Sequence, residues 1–268
     1  MIIDFNVPVY DEPGYGEALA QTAGNLGITR LCIGGGEPRY GLAANAEVRR
    51  LADSYPDLFV PFARLDLGKD DAGTVERFYR TGFAGLCVWA PPASYDDESF
   101  FCVYEAAAAL NMPIQFHTGL LPVTELDRAL GIRCANMRPI RLDTVARCFP
   151  QLKIVGVRLG NPWCEEAAEL MRYHQNVFFD LSGGILHQKG TDFLNGVFRP
   201  AHAPLWDEES LGNMWAHILF GSGVRHEEIA SVERDYQRFF RAMAVEDGES
   251  DAVMGGTAAK LLGIHRES

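Results

Sequence analysis

Eight short apolar runs recur along the chain: Ile2–Val7, Thr29–Ile33, Leu58–Ala63, Ala84–Trp89, Pro113–His117, Lys153–Arg158, Val177–Leu181 and His217–Phe220. Most are followed by a turn bearing glycine or proline, and most are too apolar to leave either face in water, which is the pattern of strands in a covered parallel sheet. The segments between them have helical spacing. Glu17–Leu26 sets Leu19, Ala23 and Leu26 on one side, and Gly41–Tyr55 does the same with Ala44, Val48 and Leu51. Glu227–Met243 carries the clearest stripe, from Ile229 through Val232, Tyr236, Phe239 and Phe240 to Met243. Ser99–Leu110 follows Asp96-Asp97, side chains suited to capping a helix N-terminus. Pro162–Tyr173 opens on a proline at the predicted first helical position. Strand and helix alternating in this way predict an α/β fold, a single-domain (β/α)8 TIM barrel over residues 1–268. An open doubly wound sheet competes with it, but no Gly-x-Gly-x-x-Gly follows any run, and Gly34-Gly35-Gly36 reads as a tight turn.

The fifth run organises the functional reading. Within Met112–Gly119, alternation puts Gln115 and His117 on one face and Ile114 and Phe116 on the other. The apolar column is expected to meet helices and the polar one a pocket, with His117 at the strand's C-terminal end, where such barrels place their sites. A hydrogen-bonded core histidine is the alternative. Two connections exceed what a barrel needs. Residues 120–141 carry Arg133, Arg138 and Arg141, and residues 183–216 carry His187, His202, Trp206 and Trp215. Long loops in compact domains tend to be functional, so a lid, a substrate wall or a subunit contact is expected there, the last implying a homo-oligomer.

Composition narrows the partners. A net charge of −12 argues against a nucleic-acid surface, which would need a basic stripe. No stretch reaches the roughly eighteen apolar residues of a membrane span, and Met1-Ile2-Ile3-Asp4-Phe5 lacks the pattern of a signal peptide. The six cysteines form no C-x-x-C pair and no disulfide framework, which fits a reducing cytoplasm. Without a Gly-x-Ser-x-Gly elbow, a serine hydrolase is not expected.

Several ordered motifs carry a resemblance: Ile3-Asp4-Phe5-Asn6-Val7-Pro8, Pro113–Gly119, Phe149–Val155, Leu159-Gly160-Asn161-Pro162-Trp163, Asn176–Gly183, Ile218–Ser222 and Met254–Leu262. With these the chain resembles, nearly end to end, the amidohydrolase-related family. The nearest branch is that of metal-dependent hydrolases and decarboxylases that includes aminocarboxymuconate semialdehyde decarboxylase. The resemblance implies a metal held by a His-x-His after the first strand, a His after the fifth, a His after the sixth and an Asp after the eighth. At those positions this sequence has Asn6 and Pro8, His117, Arg158 and Gly223. A catalytic zinc typically takes three His, Cys or carboxylate ligands, and a fixed guanidinium repels a divalent ion. The expectation is therefore a chain with no metal and no other cofactor.

The same resemblance implies a small anionic organic substrate, a carboxylate or a lactone. Arg158 then serves as anchor for a carboxylate or a developing oxyanion. His117 is the acid or base, as the one side chain there expected to titrate near neutrality. Asp180 either orients His117 or pairs with Arg158, and that pair could equally be structural. Asn6, Arg64, Trp89, Ser222, Arg225 and His226 are the expected substrate-binding residues, with His226 able to face His117 across the mouth. Asp4, two residues before Asn6, is expected on the same face one layer deeper, and His217 on the opposite, stabilising end. Two alternatives stand beside this hydrolase or decarboxylase: a catalytically silent barrel that binds a carboxylate or a protein partner, and a metal hydrolase with its site rebuilt from His187 and His202.

Overall fold

A computed structural model describes residues 1–36, 40–125, 127–199 and 214–264. Each expected apolar run forms a strand within a few residues of its predicted limits. They are β1 (Ile2–Pro8), β2 (Ile28–Gly34), β3 (Phe59–Arg64), β4 (Gly85–Val88), β5 (Ile114–His117), β6 (Ile154–Val157), β7 (Val177–Asp180) and β8 (Ile218–Leu219). All neighbours pair in parallel, in sequence order, with helices between them, as a (β/α)8 barrel requires. Because β8 has only two residues, closure falls to bonds beyond its end. Phe5 N–H donates to Phe220 O and Gly223 N–H to Asn6 O, both at 2.8 Å.

Burial sorts the strand faces as alternation demands. Ile114 and Phe116 face the helices, where Phe116 packs edge-on against Tyr95 and Tyr104. Inside the barrel, Ile3, Phe5, Cys32, Phe62, Val155 and Leu219 form one buried cluster with Ala258, Ala259 and Leu261 of the closing helix Thr257–Leu262. That helix plugs the N-terminal end, and Lys153 Nζ donates to Leu261 O at 2.6 Å. β1 departs from strict alternation. Its register against β2 shifts between Asp4 and Val7, so Phe5 belongs to the interior cluster and yet Asn6, the next residue, also faces inward. An extra residue in a strand changes the phase of everything after it. Asp4 is therefore not on the face of Asn6; it turns toward β8.

The helices Tyr15–Leu26, Asn45–Ser54, Phe101–Ala109 and Ile229–Ala242 lie where the apolar spacing predicts them. Asp97 caps the 3₁₀ turn that leads into Phe101–Ala109, accepting from Ser99 N–H at 3.0 Å. Two more helices, Ala72–Arg80 and Leu142–Cys148, fill intervals without a clear stripe, and Asp71 caps the first through Thr74 N–H at 2.8 Å. Pro162 is not a first helical residue: it follows a cis peptide bond, and its helix runs from Cys164 to Tyr173. Residues 183–199 are no plain loop, since they include the helix Thr191–Phe198. Trp215 packs on Phe198 and Phe239 in the helical layer, so it is not a substrate wall. His202 and Trp206 lie outside the described residues. His217 sits at the stabilising end as expected, its Nδ1 2.8 Å from Val177 O. Among the described residues no helix is long and apolar enough to cross a membrane.

Candidate active site

A cavity of about 520 Å³ opens at the C-terminal end of the strands. Its walls include Asn6, Tyr10, Tyr40, Cys87, Trp89, Gln115, His117, Arg158, Ser182 and Gly223, and from the long connection after β5, Leu121 and Pro122. Asn6, Trp89, His117 and Arg158 are thus brought together as the sequence suggests, and the 120–141 segment supplies part of the wall. Two of its arginines point elsewhere: Arg138 pairs with Glu166, and Arg141 with Asp96 at 3.2 Å.

His117 ends β5, where the Tyr95 hydroxyl donates to its carbonyl at 2.8 Å. The chain then turns sharply at Gly119, whose φ is +98° and where a Cβ would stand 2.3 Å from Asn161 O. The imidazole is half-buried, and its Nε2 has no hydrogen-bond partner among the described residues. Burial, then the Arg158 guanidinium, push the ring's pKa down to about 3, while a hydrogen bond with the Leu120 backbone opposes them. A bond that favours the charged ring is one in which the ring donates to the carbonyl. The ring therefore donates to that carbonyl, and its Nε2, unpartnered among the described residues, is itself buried. The expectation that His117 titrates near neutrality is thereby corrected: buried beside a fixed cation, the imidazole is neutral at pH 7.

Arg158 follows β6 in the left-handed region, at φ +66°, with Leu159 next at φ +45°. Non-glycine residues adopt this region rarely and at a cost, and such strain gathers at functional sites. Here it swings the side chain across Gly183, where a Cβ would come within 2.4 Å of Arg158 Nε. The guanidinium donates to Leu120 O at 3.1 Å and has no carboxylate within ion-pair distance among the described residues. Burial lowers its pKa and nearby Asp180 raises it, but a guanidinium stays charged through such shifts.

Asp180 therefore plays neither role expected of it, since it neither orients His117 nor pairs with the Arg158 guanidinium. Its Oδ1 accepts from Arg158 N–H (2.7 Å), Ser182 N–H (3.0 Å) and the Ser182 hydroxyl (2.6 Å), and its Oδ2 from Asn6 Nδ2 (2.9 Å). Burial pushes its pKa up, and those hydrogen bonds pull it back. Below it, Asp4 Oδ1 accepts from Ser222 N–H (2.9 Å) and Asn6 N–H (3.2 Å), while Oδ2 has no partner among the described residues. Burial pushes the Asp4 carboxyl up to about 7 against two sets of hydrogen bonds that lower it.

The remaining expected residues stand off the cavity wall. Ser222 is fully buried and serves Asp4. Arg64 stacks behind Trp89, 5.8 Å from the ring centroid, with Asp66 3.9 Å away. Arg225 grips Glu12 and lies over Tyr10, 4.3 Å from its ring, tying the β1 and β8 loops together. His226 meets Tyr15 and Glu227 rather than His117. Two wall groups escape the sequence reading. Tyr40 pairs with Trp89 (5.3 Å between rings), and Ser182 reaches the site by lying two residues past Asp180, a spacing legible in Asp180-Leu181-Ser182. Cys87 lines the cavity too, but burial holds its thiol up at about 12, so it is no nucleophile.

Among the described residues no three His, Cys, Asp or Glu side chains converge to hold a divalent metal, and at the positions expected of the family's ligands the cavity is lined by the Asn6 amide, the His117 imidazole and Arg158. His187 is paired with Asp235 at 2.7 Å; its expected companion His202 is not described.

Comparison with known proteins is consistent with this architecture. No curated protein matches the sequence. Among solved structures, an uncharacterised TIM-barrel protein from Bordetella bronchiseptica aligns with a TM-score of 0.73 at 17% identity, covering 98% of both chains. A 5-carboxyvanillate decarboxylase from Sphingomonas paucimobilis aligns at 0.67 and 16%, covering 98% of this chain and 99% of the other. A probable 2-pyrone-4,6-dicarboxylic acid hydrolase from Acinetobacter baumannii, solved with citric acid bound, aligns at 0.66 and 12%, again over 98% and 99%. The amidohydrolase family model matches residues 34–264. From β2 through the closing helix, then, sequence and fold agree: the chain belongs to the amidohydrolase family.

Proposed function

We propose that this amidohydrolase-family protein hydrolyses a small anionic carboxylate or lactone without the family's metal, using Arg158 to hold the anion and His117 as base. One observation carries the reading. Arg158, whose guanidinium has no carboxylate partner among the described residues, and His117, whose Nε2 has no partner among them, line the same cavity. A half-exposed guanidinium facing a cavity suits an anion, and that counter-ion is the part a substrate would supply. That the Sphingomonas and Acinetobacter proteins are named for carboxylate substrates supports the same class here.

The chemistry follows from the protonation states. A neutral imidazole takes a proton more readily than it gives one, which favours hydrolysis over a decarboxylation that needs a proton delivered to carbon. The His117 imidazole would accept a proton from water as the water oxygen attacks the lactone carbonyl. The oxyanion so formed lies by Arg158. Collapse breaks the ring C–O bond, and the departing alkoxide recovers the proton from His117. A bound anion also neutralises the charge that helps depress the imidazole, so substrate would make its own base stronger.

The low basicity of the free imidazole favours a second reading, a barrel that binds a carboxylate without turning it over. One experiment separates the two: purified protein is offered a panel of small carboxylates and lactones, with and without chelator, beside His117→Gln and Arg158→Met. Chelator-resistant turnover lost in both variants is expected. Anion-dependent thermal stabilisation without turnover would favour the silent barrel, and turnover abolished by chelator would overturn the metal-free reading.

A further inference from the structure

Asn6 lines the cavity with only one of its two amide faces committed. Nδ2 donates to Asp180 Oδ2 at 2.9 Å and to Ser182 Oγ at 3.2 Å, which uses both of its hydrogens. Ser182 spends its single hydroxyl hydrogen on Asp180 Oδ1 at 2.6 Å, so toward Asn6 it can only accept. Rotating the amide by half a turn would set Oδ1 against a carboxylate oxygen and a hydroxyl oxygen with no hydrogen left to offer. The orientation is thereby locked. Backbone bonds fix the residue from below, Gly223 N–H reaching Asn6 O at 2.8 Å and Asn6 N–H reaching Asp4 Oδ1 at 3.2 Å. Oδ1 is left as an acceptor that no described residue engages. The one carboxylate of Asp180 holds the Asn6 amide with one oxygen and the Arg158 backbone N–H with the other, so the two residues stand side by side.

We infer that Asn6 is a specificity-determining residue, whose Oδ1 receives a hydrogen bond from a hydroxyl carried by the carboxylate that Arg158 holds. This rests on the anion-binding reading of Arg158. The site then offers one cation, the Arg158 guanidinium, and one open acceptor, Asn6 Oδ1. A bare carboxylate satisfies the cation and leaves the acceptor facing apolar atoms or its own oxygens, whereas a hydroxycarboxylate satisfies both. Sites built to receive a hydroxyl reject the analogue that lacks it, because the buried acceptor is stranded.

The test uses benzoate and its 2-, 3- and 4-hydroxy derivatives, titrated calorimetrically at neutral pH into wild type, Asn6→Ala and Arg158→Met. At least one hydroxybenzoate is expected to bind wild type about tenfold more tightly than benzoate. In Asn6→Ala that gap closes to within about twofold while benzoate affinity holds. Should thermal melting show Asn6→Ala unfolded, Asn6→Ser replaces it, since a hydroxyl there still has a donor for Asp180. Benzoate binding that Arg158→Met weakens, with no hydroxyl preference in wild type or one that survives in the Asn6 variants, overturns the role of Asn6 alone. Benzoate binding indifferent to Arg158→Met overturns the anion reading, and the inference with it, as does failure of all four to bind wild type at millimolar concentration.

Discussion

The two sides of the barrel mouth both carry polar residues, acidic and neutral on one and basic on the other, and differ in how fully their polar atoms are bonded. On the β1–β7–β8 side, Asp180, Ser182, Asn6, Ser222 and Asp4 form a connected network in which Asp180 alone accepts four hydrogen bonds. On the β5–β6 side, among the described residues, the Arg158 guanidinium donates to a loop carbonyl alone and His117 Nε2 has no partner. A satisfied buried network gives rigidity, while groups left open in a cavity are where a ligand gains most. In the proposed function the more fully bonded side is scaffold and the open side receptor, and the link between them is the bond that the Arg158 backbone N–H donates to Asp180.

Removing the scaffold should have the largest effect. Asp180→Ala leaves the Arg158 N–H, the Ser182 N–H and hydroxyl, and the Asn6 amide without their acceptor. Each stranded buried group costs about 1–3 kcal/mol, so urea unfolding should show a loss of about 4 kcal/mol after relief of the buried charge. Arg158→Met should leave unfolding nearly unchanged, and equal losses in the two variants would erase the distinction.

Next comes the pH dependence of the scaffold. The Asp4 carboxyl, up at about 7 when folded against 3.8 in its ordinary state, keeps a proton that the unfolded chain releases at lower pH. Stability is therefore lost as pH rises from about 4 through about 7 and is flat above that. Between about pH 5 and about pH 8, wild type should lose roughly 3 kcal/mol that Asp4→Asn does not. Parallel stability curves for the two proteins would remove Asp4 from the account.

A smaller change sharpens the link between the sides. In Gly183→Ala the new methyl would meet Arg158 Nε and the backbone would carry a side chain at φ +71°. Displacing the guanidinium while sparing the network should weaken benzoate binding about fivefold and cost about 1 kcal/mol of stability. Unaltered affinity would mean that the present course of the Arg158 side chain is not the one used in binding.

Much of this was legible beforehand, for identifiable reasons. Strands buried on both faces write themselves as apolar runs, so the barrel followed, and alternation along β5 placed His117 on the cavity and Phe116 away from it. Features set by contacts distant in sequence were not legible. The acceptor of the Arg158 N–H lies on the next strand, and the left-handed turn that parts guanidinium from carboxylate depends on that bond. The bulge in β1 gives no local signal, yet it decides that Asp4 faces away from Asn6. Arg225 and His226 follow β8 as a site residue would, but Glu12 and Tyr15, more than two hundred residues earlier, draw them off the wall. The imidazole's low pKa also required the fold, because burial and a neighbouring cation are properties of the packed mouth.

The most direct measurement is calorimetric titration of benzoate into wild type and Arg158→Met at neutral pH, with folding of both checked by thermal melting. About a hundredfold loss of affinity is expected in the variant at nearly unchanged stability. Equal affinity in the two folded proteins would contradict it, because the open side of the mouth would then not be where an anion is held.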